Sequence, residues 1–288
     1  MASLAFIGLG VMGAPMAGHL RAAGHDLALF NRTRGKAEAW AAKHGGRVAD
    51  SPADAARDAD AVFACVGNDD DLRAITLGPD GAFSAMRAGA LFCDHTTASM
   101  RIAQELAREG EARGLHVLDA PVSGGEPGAI AGRLVTMCGG TPDAFSAAEP
   151  FLKAYAARIV HIGPAGAGQG AKMANQLAIA GVLAGVSEAL HLTRKVGLDP
   201  DLVLQAVSGG SGQSWQLENR WPTMARGEFD FGFAVEWMRK DLGLALAAAR
   251  ESGATLPVAA LIDQFYAEVQ RLGGSRQDTS SLVRRYEE

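Results

Sequence analysis

Short, nearly unbroken apolar runs alternate with longer stretches of mixed polarity through the first half of the chain. The runs are SLAFIGL from Ser3, DLALFNR from Asp26, DAVFACV from Asp60, GALFCDHT from Gly89, HVLDAPV from His116, LVTMCGG from Leu134 and RIVHIG from Arg158. They are too short for typical helices and lack the apolar–polar alternation of a strand with one wet face. They therefore predict strands covered on both sides. Between several of them lie Ala-rich segments with helical spacing, such as PMAGHLRAAG from Pro15 and MRIAQELAREGEARG from Met100. This alternation predicts a parallel sheet with helices on both faces. The strand signal stops near residue 163. From about Gly166 the pattern is helical: a long apolar helix, then ALHLTRKVG, DPDLVLQAVS, KDLGLALAAARESG and PVAALIDQFYAEVQRLG, with Pro200 and Pro257 marking helix starts. The predicted fold class is α/β, a doubly wound sheet followed by an all-α C-terminal domain joined by a long helix. The boundary falls in the Gly-rich PAGAGQG, giving domains 1–164 and 165–288.

Composition narrows the function. The 288 residues are 48% apolar and 20% charged, with a net charge of -5. The chain can bury a sizeable core, and it carries no basic footprint for nucleic acid. Cys65, Cys93 and Cys138 lie in apolar runs with no CxxC pair, which points to reduced thiols and a cytoplasmic location. The histidines show no metal-ligand spacing, so no metal is expected. The N-terminus has no basic region ahead of its apolar run, unlike a signal peptide. No formal charge stands between Lys172 and Glu188, but Asn175, Gln176 and several glycines do. That segment reads as a buried core helix rather than a membrane span, and no membrane partner is expected.

The first strand runs into Gly8-Leu9-Gly10-Val11-Met12-Gly13 and then into a helical pattern. A GxGxxG between strand and helix is the Rossmann-type arrangement. Gly8 permits the tight turn, Gly10 lets the backbone approach a pyrophosphate, and Gly13 lets the helix pack on the strand. The helix N-terminus offers N–H groups and a positive dipole end to the anion. The second strand ends in Asn31-Arg32-Thr33, where an NAD site usually carries a carboxylate for the ribose 2′-OH. Asn31 removes that charge, Arg32 supplies a guanidinium for a 2′-phosphate, and the Thr33 hydroxyl can donate. NADP(H) is therefore expected over NAD(H). Val66-Gly67-Asn68 and Asp94-His95-Thr96-Thr97 end later strands at the same edge. Thr96 and Thr97 read either as cofactor contacts or as caps of the helix that follows.

Ser123-Gly124-Gly125 offers consecutive backbone N–H groups and a hydroxyl, which suits a substrate carboxylate or an ordinary glycine turn. On a helix, Lys172 shares a face with Asn175 and Gln176 at i+3 and i+4. Three polar groups on a buried apolar helix need partners, and a catalytic cleft supplies them. There a lysine can protonate a carbonyl oxygen as hydride arrives. In the oxidative direction it must accept the alcohol proton, which requires a depressed pKa. The competing reading is a lysine reaching solvent at a helix end.

Phe6 through Gly13, Asp119-Ala120-Pro121-Val122-Ser123-Gly124-Gly125, Gly168 through Lys172 with Asn175-Gln176, and Lys240-Asp241-Leu242 occur in order along the whole chain. Together they resemble the signatures of the β-hydroxyacid dehydrogenases, the 3-hydroxyisobutyrate dehydrogenase-like family. The resemblance implies that Lys172 is the catalytic proton donor or acceptor and that Ser123, Gly124 and Gly125 hold the substrate carboxylate. It further implies that Asn175 and Gln176 orient the substrate, that Lys240 reaches the cofactor, and that the chain forms a homodimer or homotetramer through its helical domain. Departures include Gln176 where many members have asparagine, Thr96-Thr97 for Ser-Thr, and Val66-Gly67 for Leu-Pro. Ser211, Ser214, Trp215 and Asn219 are candidates for substrate selection. An imine reductase of the same architecture and a non-catalytic oligomeric binding module are the alternatives. Relatives of both kinds typically lack the lysine that stands here as Lys172.

Overall fold

Leu4 and Phe6 belong to one apolar cluster and Ala5 and Ile7 to another, and the same split separates Ala61 and Phe63 from Val62 and Ala64. Side chains of a strand point alternately to opposite faces, so each strand feeds two cores and the sheet is buried on both sides. The structure is a computed structural model and describes residues 1–286. Its elements are β1 (Ser3–Ile7), α1 (Gly13–Ala22), β2 (Asp26–Phe30), α2 (Arg34–His44), β3 (Arg47–Val48), α3 (Pro52–Ala56), β4 (Ala61–Ala64), α4 (Asp69–Leu77), β5 (Leu91–Asp94), α5 (Met100–Glu111), β6 (His116–Asp119), β7 (Val122–Ser123), α6 (Gly125–Ile130), β8 (Leu134–Gly140), α7 (Pro142–Leu152), β9 (Ala156–Gly163), α8 (Ala167–Lys195), α9 (Pro200–Val207), α10 (Trp215–Arg226), α11 (Val235–Ser252) and α12 (Pro257–Arg271). A short 3-10 helix, Thr279–Tyr286, follows.

The sheet order is β3-β2-β1-β4-β5-β6-β8-β7, with β9 paired to β8. From β3 to β6 every neighbouring pair is parallel, which makes this a Rossmann-type doubly wound sheet. The order reverses between β1 and β4, and ligands of such sheets sit at the carboxyl ends of the strands at that point. The register places Phe30, Ile7, Ala64, Asp94 and Asp119 in one row across the sheet. The chain therefore leaves five adjacent strands along one edge, through Asn31, Gly8, Cys65, His95 and Ala120. β6 and β7 pair antiparallel with β8.

The chain divides into two compact units, Met1–Lys172 and the remainder from Met173. The second is helical. Its cores gather Ala180, Val235, Met238, Leu242, Ile262 and Tyr266 in one cluster and Leu190, Leu217, Trp221, Met224 and Phe229 in another. Pro200 and Pro257 are the first residues of α9 and α12, and Asp199 caps α9 by accepting from the Asp201 N–H at 2.8 Å.

Three features differ from the apolar pattern. β3 and β7 are two-residue strands, too short to leave a period. β7 arises because Pro121 interrupts HVLDAPV; proline lacks the N–H that a continuing ladder needs. The apolar run and ALHLTRKVG form one helix, the 29-residue α8, since no breaker stands between them. By length and composition α8 could cross a membrane. In the fold, Met173, Gln176, Ala180, Leu183, Ser187 and Leu190 are buried along it at steps of three and four, so one stripe packs against protein.

Candidate functional site

The glycine loop follows β1 directly. Gly8 has φ +97°, and a Cβ there would lie 2.2 Å from the Cys65 carbonyl oxygen. A Cβ on Gly13 would lie 1.9 Å from the Gly8 carbonyl oxygen. Both glycines are thus required by the turn itself. Gly10 differs: a Cβ there would meet nothing within 4 Å. The protein's own packing does not call for glycine at position 10, whereas a pyrophosphate seated on the loop would. The loop, the adjacent start of α1 and the sheet's switch point fit a dinucleotide.

Neighbouring strand ends brace this loop. The Leu9 N–H donates to Asn31 Oδ1 at 2.9 Å, and Asn31 Nδ2 donates to the Thr33 carbonyl at 2.9 Å. Asn31 is therefore a tie between β2 and the loop. Arg32 extends into solvent and pairs with Asp71 at 2.8 Å. Thr33 precedes α2 without capping it through its side chain. Asn68 caps α4, accepting from the Asp71 N–H at 2.9 Å. The Val66 N–H donates to Thr96 Oγ1 at 3.0 Å, which joins the β4 and β5 loops. The capping alternative for Thr96 and Thr97 is overturned. Ser99 is the N-cap of α5 and accepts from the Ile102 N–H at 3.0 Å, because two more residues are needed before the chain turns helical.

Ser123 ends β7, and Gly124 and Gly125 follow with φ +127° and +62°. Both glycines are exposed, and their left-handed backbone is what carries the chain sharply into α6. Lys172 lies in the second turn of α8 and is 8% exposed. Most of the side chain is therefore enclosed by protein rather than extended into solvent. In the helical unit, Asn175 Nδ2 donates to Gln176 Oε1 at 2.8 Å, and Gln176 Nε2 donates to Asp241 Oδ2 at 2.6 Å. Lys240 Nζ lies 3.3 Å from Asp241 Oδ1 and 5.7 Å from the centre of the Trp237 ring. The buried Asp241 carboxylate can only accept, so it fixes which way the Gln176 amide points and, through it, the Asn175 amide. Of the other candidates on this unit, Ser214 caps α10 through the Leu217 N–H at 3.0 Å. Asn219 Nδ2 donates to the Trp215 carbonyl at 2.9 Å, and the exposed Trp215 ring lies 4.8 Å from the Arg220 guanidinium.

Several residues that organise the site receive no role from the sequence, although Asp119 and Gln169 lie within the signature segments. Asp119, 4% exposed, accepts from the Gly166 N–H at 2.7 Å and the Gln169 N–H at 2.9 Å. It holds the first turn of α8, the helix that bears Lys172. Gln169 clamps the β5–α5 loop with its side chain. Nε2 donates to the Thr96 carbonyl at 2.7 Å, and Oε1 accepts from the Ala98 N–H at 3.0 Å. One signal for Asp119 was in the sequence, a carboxylate closing an otherwise apolar strand. Gln169 gave none.

Burial pushes the Asp119 carboxyl up to about 6 even though backbone N–H groups favour its charged form. Its ordinary value is 3.8, so between those pH values the folded chain holds a proton that the unfolded chain has lost. Native stability contributed by this group is full below about pH 4 and falls as pH rises to about 6. Asp119→Asn removes the titration and keeps the shape. The stability difference, wild type minus variant, is expected to shrink by about 2 kcal/mol between pH 4 and 7. Urea denaturation across that range measures it, and parallel stability curves for the two proteins would refute the assignment.

His95, likewise given no role by the sequence, is a buried neutral strut. The Ala120 carbonyl at 2.7 Å must accept, so Nδ1 carries the proton and Nε2 accepts from the Tyr155 hydroxyl at 2.7 Å. Burial lowers its pKa to about 4.

Comparison with known proteins agrees with this geometry. Residues 3–163 match the family described as the NAD binding domain of 6-phosphogluconate dehydrogenase. Residues 166–286 match the family described as NAD-binding of NADP-dependent 3-hydroxyisobutyrate dehydrogenase. An uncharacterized oxidoreductase of Shewanella frigidimarina is 54% identical over 100% of this chain and 99% of its own. A Pseudomonas aeruginosa protein named NAD-dependent L-serine dehydrogenase is 35% identical over 100% of this chain and 98% of its own. The solved structure of Mycobacterium tuberculosis 3-hydroxyisobutyrate dehydrogenase with L-serine superposes with a TM-score of 0.92 at 34% identity, covering 100% of both chains. A braced glycine loop at the switch point, a buried lysine at the start of α8 and these full-length likenesses lead to one conclusion: the chain belongs to the 3-hydroxyisobutyrate dehydrogenase family and is an NAD(P)-dependent hydroxyacid dehydrogenase.

Proposed function

We propose that the protein interconverts a small β-hydroxyacid and its semialdehyde, using NADP(H) in preference to NAD(H), with Lys172 as proton donor and acceptor. The observation that carries the reading is the burial of Lys172 on a helix turn anchored by Asp119 and Gln169. A cation so enclosed and so firmly based suits delivery of one proton to one atom. When bound, the nicotinamide supplies or accepts the hydride. Gly8 through Gly13, Val66, Gly67, Asn68, Thr96, Thr97 and Lys240 would hold the cofactor. Lys172 gives its proton to the carbonyl oxygen in reduction and takes it back from the hydroxyl in oxidation. Ser123, Gly124 and Gly125 hold the substrate carboxylate through the hydroxyl and backbone N–H groups. Asn175 and Gln176, pre-aligned by Asp241, orient the substrate.

Asn31 supports the choice of NADP(H). An aspartate could accept the same Leu9 N–H, so what asparagine changes is the charge, and a 2′-phosphate is then not repelled. Exposed small and apolar residues line one side of α8 (Ala174, Ala178, Val182, Gly185, Ala189 and Leu192), and none of the residues of α9 is buried. These surfaces support a homodimer or homotetramer. The cysteines form no disulfide, in keeping with a cytoplasmic location.

A panel of small semialdehydes and hydroxyacids, each assayed with NADPH and NADH, tests the reading. Turnover should require a substrate carboxylate, and KM should favour NADPH about tenfold or more, the scale of one charge-assisted contact. Equal use of NADH would overturn the cofactor choice. Equal turnover of uncharged aldehydes would overturn the carboxylate site.

A further inference from the structure

Asp69, Asp70 and Asp71 open α4 with three consecutive carboxylates, and each goes a different way. Asp69 accepts from the Ser99 N–H at 2.9 Å and the Ser99 hydroxyl at 2.5 Å. Asp70 lies 3.4 Å from Arg73, which is itself paired with Glu105. Asp71 alone turns toward β2 and takes Arg32 at 2.8 Å. Its backbone is fixed there by the Asn68 cap. In the sheet, β2 and β4 flank β1. Arg32 follows the end of β2, and Asp71 lies beyond the end of β4. Their ion pair therefore joins the two segments on either side of the glycine loop. Arg34, the other guanidinium nearby, is already shared between Glu38 at 2.8 Å and Asp50 at 2.5 Å. Among the described residues Arg32 has one carboxylate partner, so it is a cation that a new anion can recruit.

We propose that Asp71 is a cofactor-specificity residue, competing with the cofactor's 2′-phosphate for Arg32. This rests on the reading that Arg32 grips that phosphate. A phosphate oxygen and a carboxylate oxygen make the same charge-assisted bond to a guanidinium, so the two anions compete for Arg32 and repel one another across it. NADP(H) gains the whole of Arg32 only by displacing Asp71, and otherwise shares it against the repulsion of that carboxylate. NAD(H) has a hydroxyl in place of the phosphate and leaves the pair intact. Asp71 thereby lowers affinity for NADP(H) alone and narrows the preference that Asn31 and Arg32 create.

Dissociation constants for NADPH and NADH, measured by nucleotide fluorescence titration, test this in Asp71→Asn, Arg32→Ala and the double variant. An exposed ion pair is a weak competitor, so Asp71→Asn should bind NADPH about two- to fivefold more tightly and NADH as the wild type does. Arg32→Ala should lose NADPH affinity and keep NADH affinity. In the Arg32→Ala background, Asp71→Asn should change neither. If Arg32→Ala lowers NADPH affinity while Asp71→Asn leaves the NADPH/NADH ratio unchanged, the role of Asp71 is overturned and the NADP(H) reading stands. If Asp71→Asn tightens both nucleotides equally, the pair is a general obstruction and the specificity role is overturned. If Arg32→Ala leaves the ratio unchanged, the reading of Arg32 fails and the role of Asp71 fails with it.

Discussion

Lys172→Ala is expected to lower kcat by about a hundred- to ten-thousandfold, the usual contribution of a positioned general acid–base group, while NADPH still binds. Lys172 is buried but stands on a turn whose fastenings belong to other residues. Asp119 holds the Gly166 and Gln169 N–H groups, and the Gln169 side chain holds Thr96 and Ala98. Alanine favours a helix and leaves those bonds in place, so the turn persists without its ammonium. Lys172→Arg separates charge from proton transfer. A guanidinium keeps the cation but does not give up a proton near neutral pH, so this variant should remain close to the alanine variant in kcat. Near-normal activity in Lys172→Arg would mean that positive charge suffices. Loss of folding or of NADPH binding in Lys172→Ala would mean that the lysine is structural.

Gly13→Ala is expected to be nearly as damaging for a different reason. The new methyl would sit 1.9 Å from the Gly8 carbonyl oxygen and 3.0 Å from the Phe6 ring. The oxygen belongs to backbone, which cannot swing aside as a side chain can. Either α1 lifts off β1 or the turn opens, and both destroy the anion-facing end of α1. Overpacking of this kind destabilises by about 1–3 kcal/mol or more, and cofactor affinity should fall about a hundredfold. Gly10→Ala is the matched control, since its methyl meets no protein atom within 4 Å. It should melt like the wild type yet bind NADPH at least about tenfold more weakly, because the space it fills is where the pyrophosphate must approach. Thermal melts and nucleotide titrations on the two variants separate the effects. Wild-type NADPH affinity in Gly10→Ala would show that the cofactor does not use that space.

Much of the fold was legible in the pattern because burial on both faces writes itself into consecutive residues. AVFA and LFCD are short and almost wholly apolar, as inner strands of a covered sheet are, and they are β4 and β5. The glycine loop was legible for a similar reason, since strand, turn and helix follow one another without a gap. What escaped were contacts between residues far apart in sequence. Asp119 meets Gly166 across forty-seven positions and Gln169 meets Thr96 across seventy-three, and neither separation has a local signature. Thr96 misled in the same way. A threonine before a helix reads as a cap, but the fold spends it on Val66, one strand away. Arg32 could be recognised as a cation just after the second strand, but Asp71 could not be recognised as its partner.

Asp119 also sets terms for its neighbours. A Cβ on Gly139 would fall 2.5 Å from Asp119 Oδ1, and one on Gly168 would fall 2.4 Å from the Met137 carbonyl and 2.7 Å from Asp119 Oδ2. The carboxylate fits only because two glycines, one on β8 and one on α8, leave it room. A side chain at 139 would press on the carboxylate that fastens the base of α8 and on the Gly168 N–H as well, and one at 168 would strike backbone whatever residue stood at 119, so the seam tolerates bulk on neither side.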